Sequence, residues 1–226
     1  MDPEEFLRQV SLFHSLSPED IERLSSSVRT QSLKKGEVLF HKGSEGTVLY
    51  IIKKGRVKIL LPSRSGDEVI LAIFSETDFF GEMALLDGIP RSADAVAMED
   101  CELFVLDRSD FLTFLMENRN AVKSILASLS MRLRKTDDHL EDTCFLNISG
   151  RFAKKLLELV GTSDPEDDGT LFIDLALTQS ELASMIGATR ESVNKELRLL
   201  REKGLITTVG KRIGIVNMER LRRRVH

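Results

Sequence analysis

Gly81-Glu82-Met83-Ala84, with Pro90-Arg91-Ser92 close behind, sets a glycine, a carboxylate and a guanidinium within a dozen residues of one another. Phe79 and Phe80 close an apolar run, Gly81 permits a sharp turn, and Glu82 to Leu86 is expected to form one helical turn whose free N–H groups face an anion. Arg91 offers a planar, two-pronged donor that suits phosphate oxygens, and Glu82 can accept from a sugar hydroxyl. Phosphate and ribose together make a nucleotide. A surface hairpin corner with an unrelated Glu and Arg is the simpler alternative. The ordered set of glycine, glutamate and Pro-Arg-Ser between apolar strands favours the nucleotide.

A second constellation lies near the other end. Thr178-Gln179-Ser180-Glu181 has the form of a capping box and starts a helix with Leu182, Ala183 and Ile186 turned inward. Gly187 supplies a tight turn, and Thr189 caps a second helix that buries Val193, Leu197 and Leu200. Arg190, Glu191, Asn194, Lys195 and Arg198 are left on the opposite face. This pattern predicts a helix-turn-helix, against the alternative of a generic packing pair, and a hairpin-like wing follows from Ile206 to Val216, turning at Gly210-Lys211. Arg190 can hold guanine O6 and N7 as a pair, while Glu191 can accept from cytosine N4 in the major groove. Lys195 is a point charge with less geometric selectivity than an arginine.

These groups need elements to position them. Ser17-Pro18-Glu19-Asp20 predicts a helix start. From Val28 to Asp107, short apolar runs (38–40, 48–52, 57–61, 69–74, 93–97 and 103–106) alternate with Gly36, Gly43, Gly46, Gly55 and Ser65-Gly66-Asp67, which implies a sandwich or barrel. The period then changes. Val122, Leu126, Leu129, Leu133, Thr136, Leu140 and Thr143 follow the alternating spacing of four and three of a coiled-coil seam, predicting a homodimer; a helix packed only on its own β-domain would show a similar stripe. Residues 145–150 form a junction, a helix is expected over 151–160, and the polar stretch 161–169 is expected to be a loop.

Composition bounds the function. At 226 residues with 42% hydrophobic and 30% charged, the chain has the make-up of two modest soluble domains. It begins with the acidic MDPEEFLRQV and has no run approaching the ~20 apolar residues of a membrane span, so a cytoplasmic protein without membrane association is expected. Cys101 and Cys144 are too few for an iron–sulfur cluster and are expected to serve packing, and four scattered histidines give no metal spacing. The net charge of −4 conceals an asymmetry: from Thr178 onward there are 11 Lys and Arg against 5 Asp and Glu, which suggests nucleic acid as a partner, although the closing RLRRRVH alone reads as a solvated basic tail.

Residues 80–97 resemble the phosphate-binding cassette of cyclic-nucleotide-binding domains, TRESVNKELRLLREKGLI resembles a recognition helix, and nearly the whole chain resembles the CRP/FNR family of bacterial transcription regulators. The resemblance implies an α+β architecture. Its parts are a cyclic-nucleotide-binding β-roll of double-stranded β-helix or jelly-roll type over 1–117, a long central dimerisation helix over 118–144 and a winged helix-turn-helix over 145–226. The implied effector is cyclic AMP, with cyclic GMP as the alternative and no metal. Gly81, Glu82, Met83, Ala84, Arg91 and Ser92 would hold its sugar-phosphate, and Ile59 and Ala72 would line the base. Thr136 and Asp137 would reach the base, one of them across the dimer interface, with Arg132 one turn earlier offsetting charge. Asp137 stands where the family has Ser or Asn; a carboxylate accepts from an exocyclic amine but cannot donate to a ring nitrogen, so base identity stays open. Thr189, Arg190, Glu191, Asn194, Lys195, Arg198 and Lys211 are the implied DNA-binding set, reading GTGA-like half-sites of a palindromic operator ~10 bp apart as a dimer. RNA polymerase is a further implied partner. The rivals are a constitutive or other-effector regulator of the same family, and an enzyme acting on cyclic nucleotides, for which no activated nucleophile appears.

Overall fold

The computed structural model describes residues 2–14, 16–63, 66–161, 166, 169–210 and 212–225. The chain divides into two compact units, Met1–Arg134 and Lys135–His226. In the first, α1 (Pro3–Leu7) and α2 (Pro18–Ser27) precede β1 (Arg29–Leu33), β2 (Val38–Phe40), β3 (Val48–Lys54), β4 (Val57–Pro62), β5 (Glu68–Phe74) and β6 (Phe79–Phe80). Then follow α3 (Glu82–Asp87), β7 (Asp94–Ala97), β8 (Cys101–Asp107), α4 (Arg108–Glu117) and α5 (Arg119–Phe145), the last of which carries the boundary between the units.

The strands form two antiparallel sheets, ordered β1-β8-β3-β6 and β2-β7-β4-β5, in the jelly-roll manner. Strand periodicity explains why β3 from Val48 to Ile52 and β8 from Leu103 to Leu106 are continuously apolar: successive side chains point to opposite faces, and here both faces are covered. Tyr50 and Ile52 of β3, with Leu103 and Val105 of β8, join Phe80, Val57 and Ala95 in the core shared with the second sheet. Their alternates Leu49, Ile51, Phe104 and Leu106 face a separate core built with the helices. In the second sheet Ile59 pairs with Ala72 on one side and Ala95 on the other, so the three side chains lie in a row on one face.

The acidic opening segment is informative as sequence only for its charge, yet it is core. Phe6, Leu7, Val10, Leu12 and Phe13 are all within 1% of full burial. Phe6 meets Phe104 edge-on at 5.7 Å and Phe13 meets Phe114 at 5.3 Å. Ser17 caps α2 as expected, its Oγ accepting from the Asp20 amide at 3.1 Å. Helix α5 has two apolar faces: Ala121 and Ile125 are buried in the helix-side core and Leu129 packs against it. By contrast Val122, Leu126, Leu133 and Leu140 stand 37–63% exposed.

The second unit contains α6 (Ile148–Val160), β9 (Leu171–Phe172), α7 (Gln179–Ile186), α8 (Arg190–Glu202), β10 (Ile206–Val209), β11 (Arg212–Ile215) and α9 (Met218–Arg222). Helix α6 begins three residues earlier than the sequence suggests, because Asn147 caps it by accepting from the Gly150 amide at 3.0 Å. The wing is an antiparallel sheet ordered β10-β11-β9, with the two-residue β9 hidden in the sequence behind an acidic loop. That loop's residues 162–165, 167 and 168, the Ser65 turn residue and Lys211 at the wing turn lie outside the described residues. The basic tail is not merely solvated: Leu221 of α9 is fully buried. Nor do both cysteines pack, for Cys101 is buried, whereas Cys144 is exposed.

Because the opening segment belongs to the core, Phe13→Ala is expected to lower unfolding free energy by about 3–5 kcal/mol, the usual loss for a buried phenylalanine. Denaturant unfolding checks this. A loss below about 1 kcal/mol would mean that the segment peels away without disturbing the β-domain.

Candidate functional site

Gly81 ends β6 in the left-handed region, φ 88°, and turns the chain into α3; Gly88 closes the helix at φ 72°. A Cβ at Gly81 would stand 2.5 Å from Arg91 Nη1, so glycine is required there both for conformation and for space. Ala84 is buried, Met83 is 49% exposed, and Ser92 donates from Oγ toward Met83 Sδ at 3.8 Å. The six cassette residues singled out in the sequence are thus brought together around one short helix.

Arg91 is the unusual group. Only 5% exposed, it donates Nη1 to Gly81 O at 2.7 Å and Nη2 to Val48 O at 2.8 Å. Its guanidinium lies over Phe40 at 4.4 Å and Tyr50 at 5.5 Å. Nε is buried with no hydrogen-bond partner among the described residues. Burial lowers the Arg91 pKa, opposed by Tyr50 and Glu82, and burial likewise raises the Tyr50 phenol. A desolvated cation resting on carbonyls and aromatic faces leaves its charge uncompensated, and an entering anion would compensate it.

Glu82 is its acidic counterpart, 2% exposed. Arg132 reaches it from α5, Nη1 donating to Oε1 at 2.7 Å, while Nη2 donates to Phe79 O. The same guanidinium lies over Phe74 at 4.6 Å and Phe79 at 5.0 Å. Oε2 of Glu82 is buried without a hydrogen-bond partner among the described residues and could accept from a hydroxyl. The sequence suggests that Arg132 acts along its own helix; the structure shows it bound fifty residues away in the chain, a contact that no local pattern reveals. Phe40, Tyr50 and the Val48 carbonyl escape sequence reasoning for the same cause. Gly46 stands out in the sequence only as a turn glycine, though a Cβ there would lie 2.4 Å from Ala84 Cβ and 3.1 Å from Arg91 Nε. Ile59 and Ala72 are half-buried neighbours across β4 and β5. Thr136 and Asp137, both exposed, belong to the second unit.

In that unit the capping box is complete: Thr178 Oγ1 accepts from the Glu181 amide at 3.1 Å, and Glu181 Oε2 accepts from the Thr178 amide at 2.9 Å. Gly187 ends α7 at φ 59°, and Thr189 caps α8 by accepting from the Ser192 amide at 3.2 Å. Val193, Leu197 and Leu200 are buried. Arg190, Glu191, Asn194, Lys195 and Arg198 are all exposed and, at about 100° per residue, fall within about 140° of the helix circumference. Arg190 Nε reaches Gln179 Oε1 at 3.5 Å, and Arg198 pairs with Glu202 at 3.8 Å, so this face is polar and loosely tied.

Residues 30–118 match the family model of the cyclic nucleotide-binding domain, and residues 150–224 match that of the Crp-like helix-turn-helix domain. The CRP-like cAMP-activated global transcriptional regulator of Mycobacterium tuberculosis is 33% identical over 221 residues, covering 98% of this chain and 99% of the relative. This chain belongs to the CRP/FNR family of transcription regulators. It is a DNA-binding regulator with a cyclic nucleotide-binding domain, not an enzyme. A CRP/FNR-family transcriptional regulator from Thermus thermophilus has a similar solved structure, with a TM-score of 0.72, 27% identity and coverage of 87% of this chain and 98% of that one. The c-di-GMP responsive global regulator CLP of Xanthomonas campestris shares the fold at a TM-score of 0.78 and 22% identity, covering 89% of this chain and all of that one. Among the described residues no His, Cys, Asp or Glu group is assembled to hold a metal ion, and no helix is long and apolar enough to cross a membrane.

The crowding at Gly46 makes a prediction for this CRP/FNR member. Gly46→Ala is expected to displace Ala84 and Arg91 at a cost of about 1–3 kcal/mol, lowering cyclic-nucleotide affinity about tenfold or more with far-UV circular dichroism unchanged. Calorimetric titration measures it, and parent-like affinity would show that the packing of Arg91 does not govern binding.

Proposed function

We propose that the chain is a homodimeric, cytoplasmic transcription regulator whose effector is cyclic AMP. The observation that carries the effector reading is Arg91, a buried guanidinium resting on carbonyls and rings, which a cyclic phosphate would neutralise. In this reading Glu82 takes the ribose hydroxyl, Gly81, Met83, Ala84 and Ser92 close around the sugar-phosphate, and Ile59 and Ala72 line the base. Arg132 holds Glu82 in place. Thr136 and Asp137 address the base edge. The division into an effector domain over 1–117, a dimerisation helix over 118–144 and a DNA-binding domain over 145–226 follows these roles.

The apolar seam of α5 supports the dimer, since Val122, Leu126, Leu133 and Leu140 expose a stripe that water does not favour. Two recognition helices related by a two-fold axis would then read a palindromic operator, with Thr189 to Arg198 in the major groove and Lys211 on the backbone. RNA polymerase is the partner through which such a dimer acts. Effector control needs differential binding: a ligand that makes all its contacts in only one arrangement of α5 shifts the population toward it.

A second reading has support of its own. Asp137 adds a carboxylate where a donor is expected, and the Xanthomonas regulator with this fold is described as responsive to c-di-GMP. The base, and even the class of cyclic nucleotide, is therefore decided by titration with cyclic AMP, cyclic GMP and c-di-GMP. Cyclic AMP is expected to bind most tightly, and Arg91→Ala to lose about 2–5 kcal/mol of that affinity while staying folded. Parent-like binding by this variant, or no binding of cyclic AMP by the parent, overturns the reading.

For the dimer, Leu133→Asp sets two carboxylates against each other on the seam and should give monomers in sedimentation. A dimer that persists at about micromolar concentration would place the interface elsewhere.

A further inference from the structure

The closing basic segment holds one arginine that is largely withdrawn from solvent. Arg224, just beyond α9, donates Nη2 to Ser149 Oγ at 2.7 Å, and Ser149 Oγ donates in turn to Glu196 Oε2 at 2.9 Å. The guanidinium and this carboxylate are 3.7 Å apart, with side chains only 20% and 14% exposed. Ser149 belongs to the first turn of α6 and Glu196 to the middle of α8. Three elements distant in sequence therefore meet at one hydroxyl.

The surroundings are built to keep the tail there. Leu221 anchors α9 at full burial, and Asn217 caps it by accepting from the Arg220 amide at 2.9 Å. The amides of Arg224 and Val225 donate back to Leu221 O and Arg222 O. Gly150 has no side chain to push the tail away: a Cβ there would stand 3.1 Å from Val225 O. Arg222 and Arg223 are exposed, as a solvated tail requires, while Arg224 turns inward.

We propose that Arg224 is a positioning residue for DNA reading, a latch that fixes the rotation of α8 on α6. Glu196 follows Asn194 and Lys195 directly and precedes Arg198 by two residues, so the carboxylate that Arg224 holds sets the direction in which the exposed face points. Without the latch α8 is held mainly by the apolar contacts of Val193, Leu197 and Leu200, which fix its rotation less sharply than hydrogen bonds do. The proposal rests on α8 being the base-reading helix.

The test compares Arg224→Gln, Arg224→Lys, Glu196→Gln, the double variant and Arg190→Ala in the full chain, by fluorescence anisotropy on an operator selected from random duplexes and on its single-base variants. Melting temperature and cyclic-nucleotide affinity are measured alongside. Arg224→Gln is expected to bind the operator about tenfold more weakly and to discriminate less among variants, with Arg224→Lys recovering most of the loss and the double variant no worse than either single. Glu196→Gln carries the sharpest contrast. Removing a negative charge near DNA should tighten binding if only charge matters, whereas the latch requires it to weaken. Parent-like discrimination by Arg224→Gln, tighter binding by Glu196→Gln, or losses that simply follow a fall in melting temperature each overturn the latch. Uniform loss on all sequences with a shallower salt dependence would make Arg224 a phosphate contact and overturn it too. If Arg190→Ala leaves base preference intact, the reading of α8 fails and the latch with it; if Arg190→Ala loses preference while Arg224→Gln does not, the latch alone fails.

Discussion

A guanidinium taken out of water and surrounded by carbonyls and rings is the constraint on which the effector domain turns. Carbonyl dipoles and aromatic faces stabilise the Arg91 cation in part, but no carboxylate lies in salt-bridge reach among the described residues, and burial works against the charge. Much else in the domain follows from keeping that group in place. Gly81 and Gly46 leave room for it, β3 turns Tyr50 toward it, and the bend after β6 presents Gly81 O to it. A buried cation with no salt-bridge partner suits an anion, and the cyclic nucleotide-binding family model over residues 30–118 supports the proposal that this anion is a cyclic phosphate.

Helix α5 links the chemistry to the rest of the chain. One of its faces is core, through Ala121 and Ile125, another offers a row of exposed leucines, and Arg132 extends from it to Glu82. A ligand hydroxyl donating to the open Oε2 of Glu82, the role proposed above, would therefore act on a group already held by α5. This gives a physical route by which occupancy can bias the helix: the Glu82–Arg132 pair is partly buried, so changes in its geometry are not screened away as a surface pair would be.

Local patterns carried most of the architecture. Turn glycines and apolar runs marked the strands, and the capping box marked the helix-turn-helix, because each depends on neighbours within a few residues. What stayed hidden depends on distant contacts. The segment around Phe6 and Phe13 lacks a helical repeat long enough to announce burial, yet a β-sheet apolar on both faces needs something to cover it. Phe40, Tyr50 and Arg132 reach the cassette only after the sheets fold. Arg224 sat in a run of like charges, where nothing local separates the one that turns inward from its solvated neighbours.

Side-chain nitrogen NMR of arginine reads whether Arg91 anchors the anion. In the free protein the Arg91 Nε–H should appear as a protected signal, as its burial requires. Addition of cyclic AMP should shift that signal and slow the exchange of the Arg91 Nη protons, while adenosine, which lacks the phosphate, leaves them where they were. Arg91 resonances unmoved at saturating cyclic nucleotide would mean that the phosphate does not bind at Arg91.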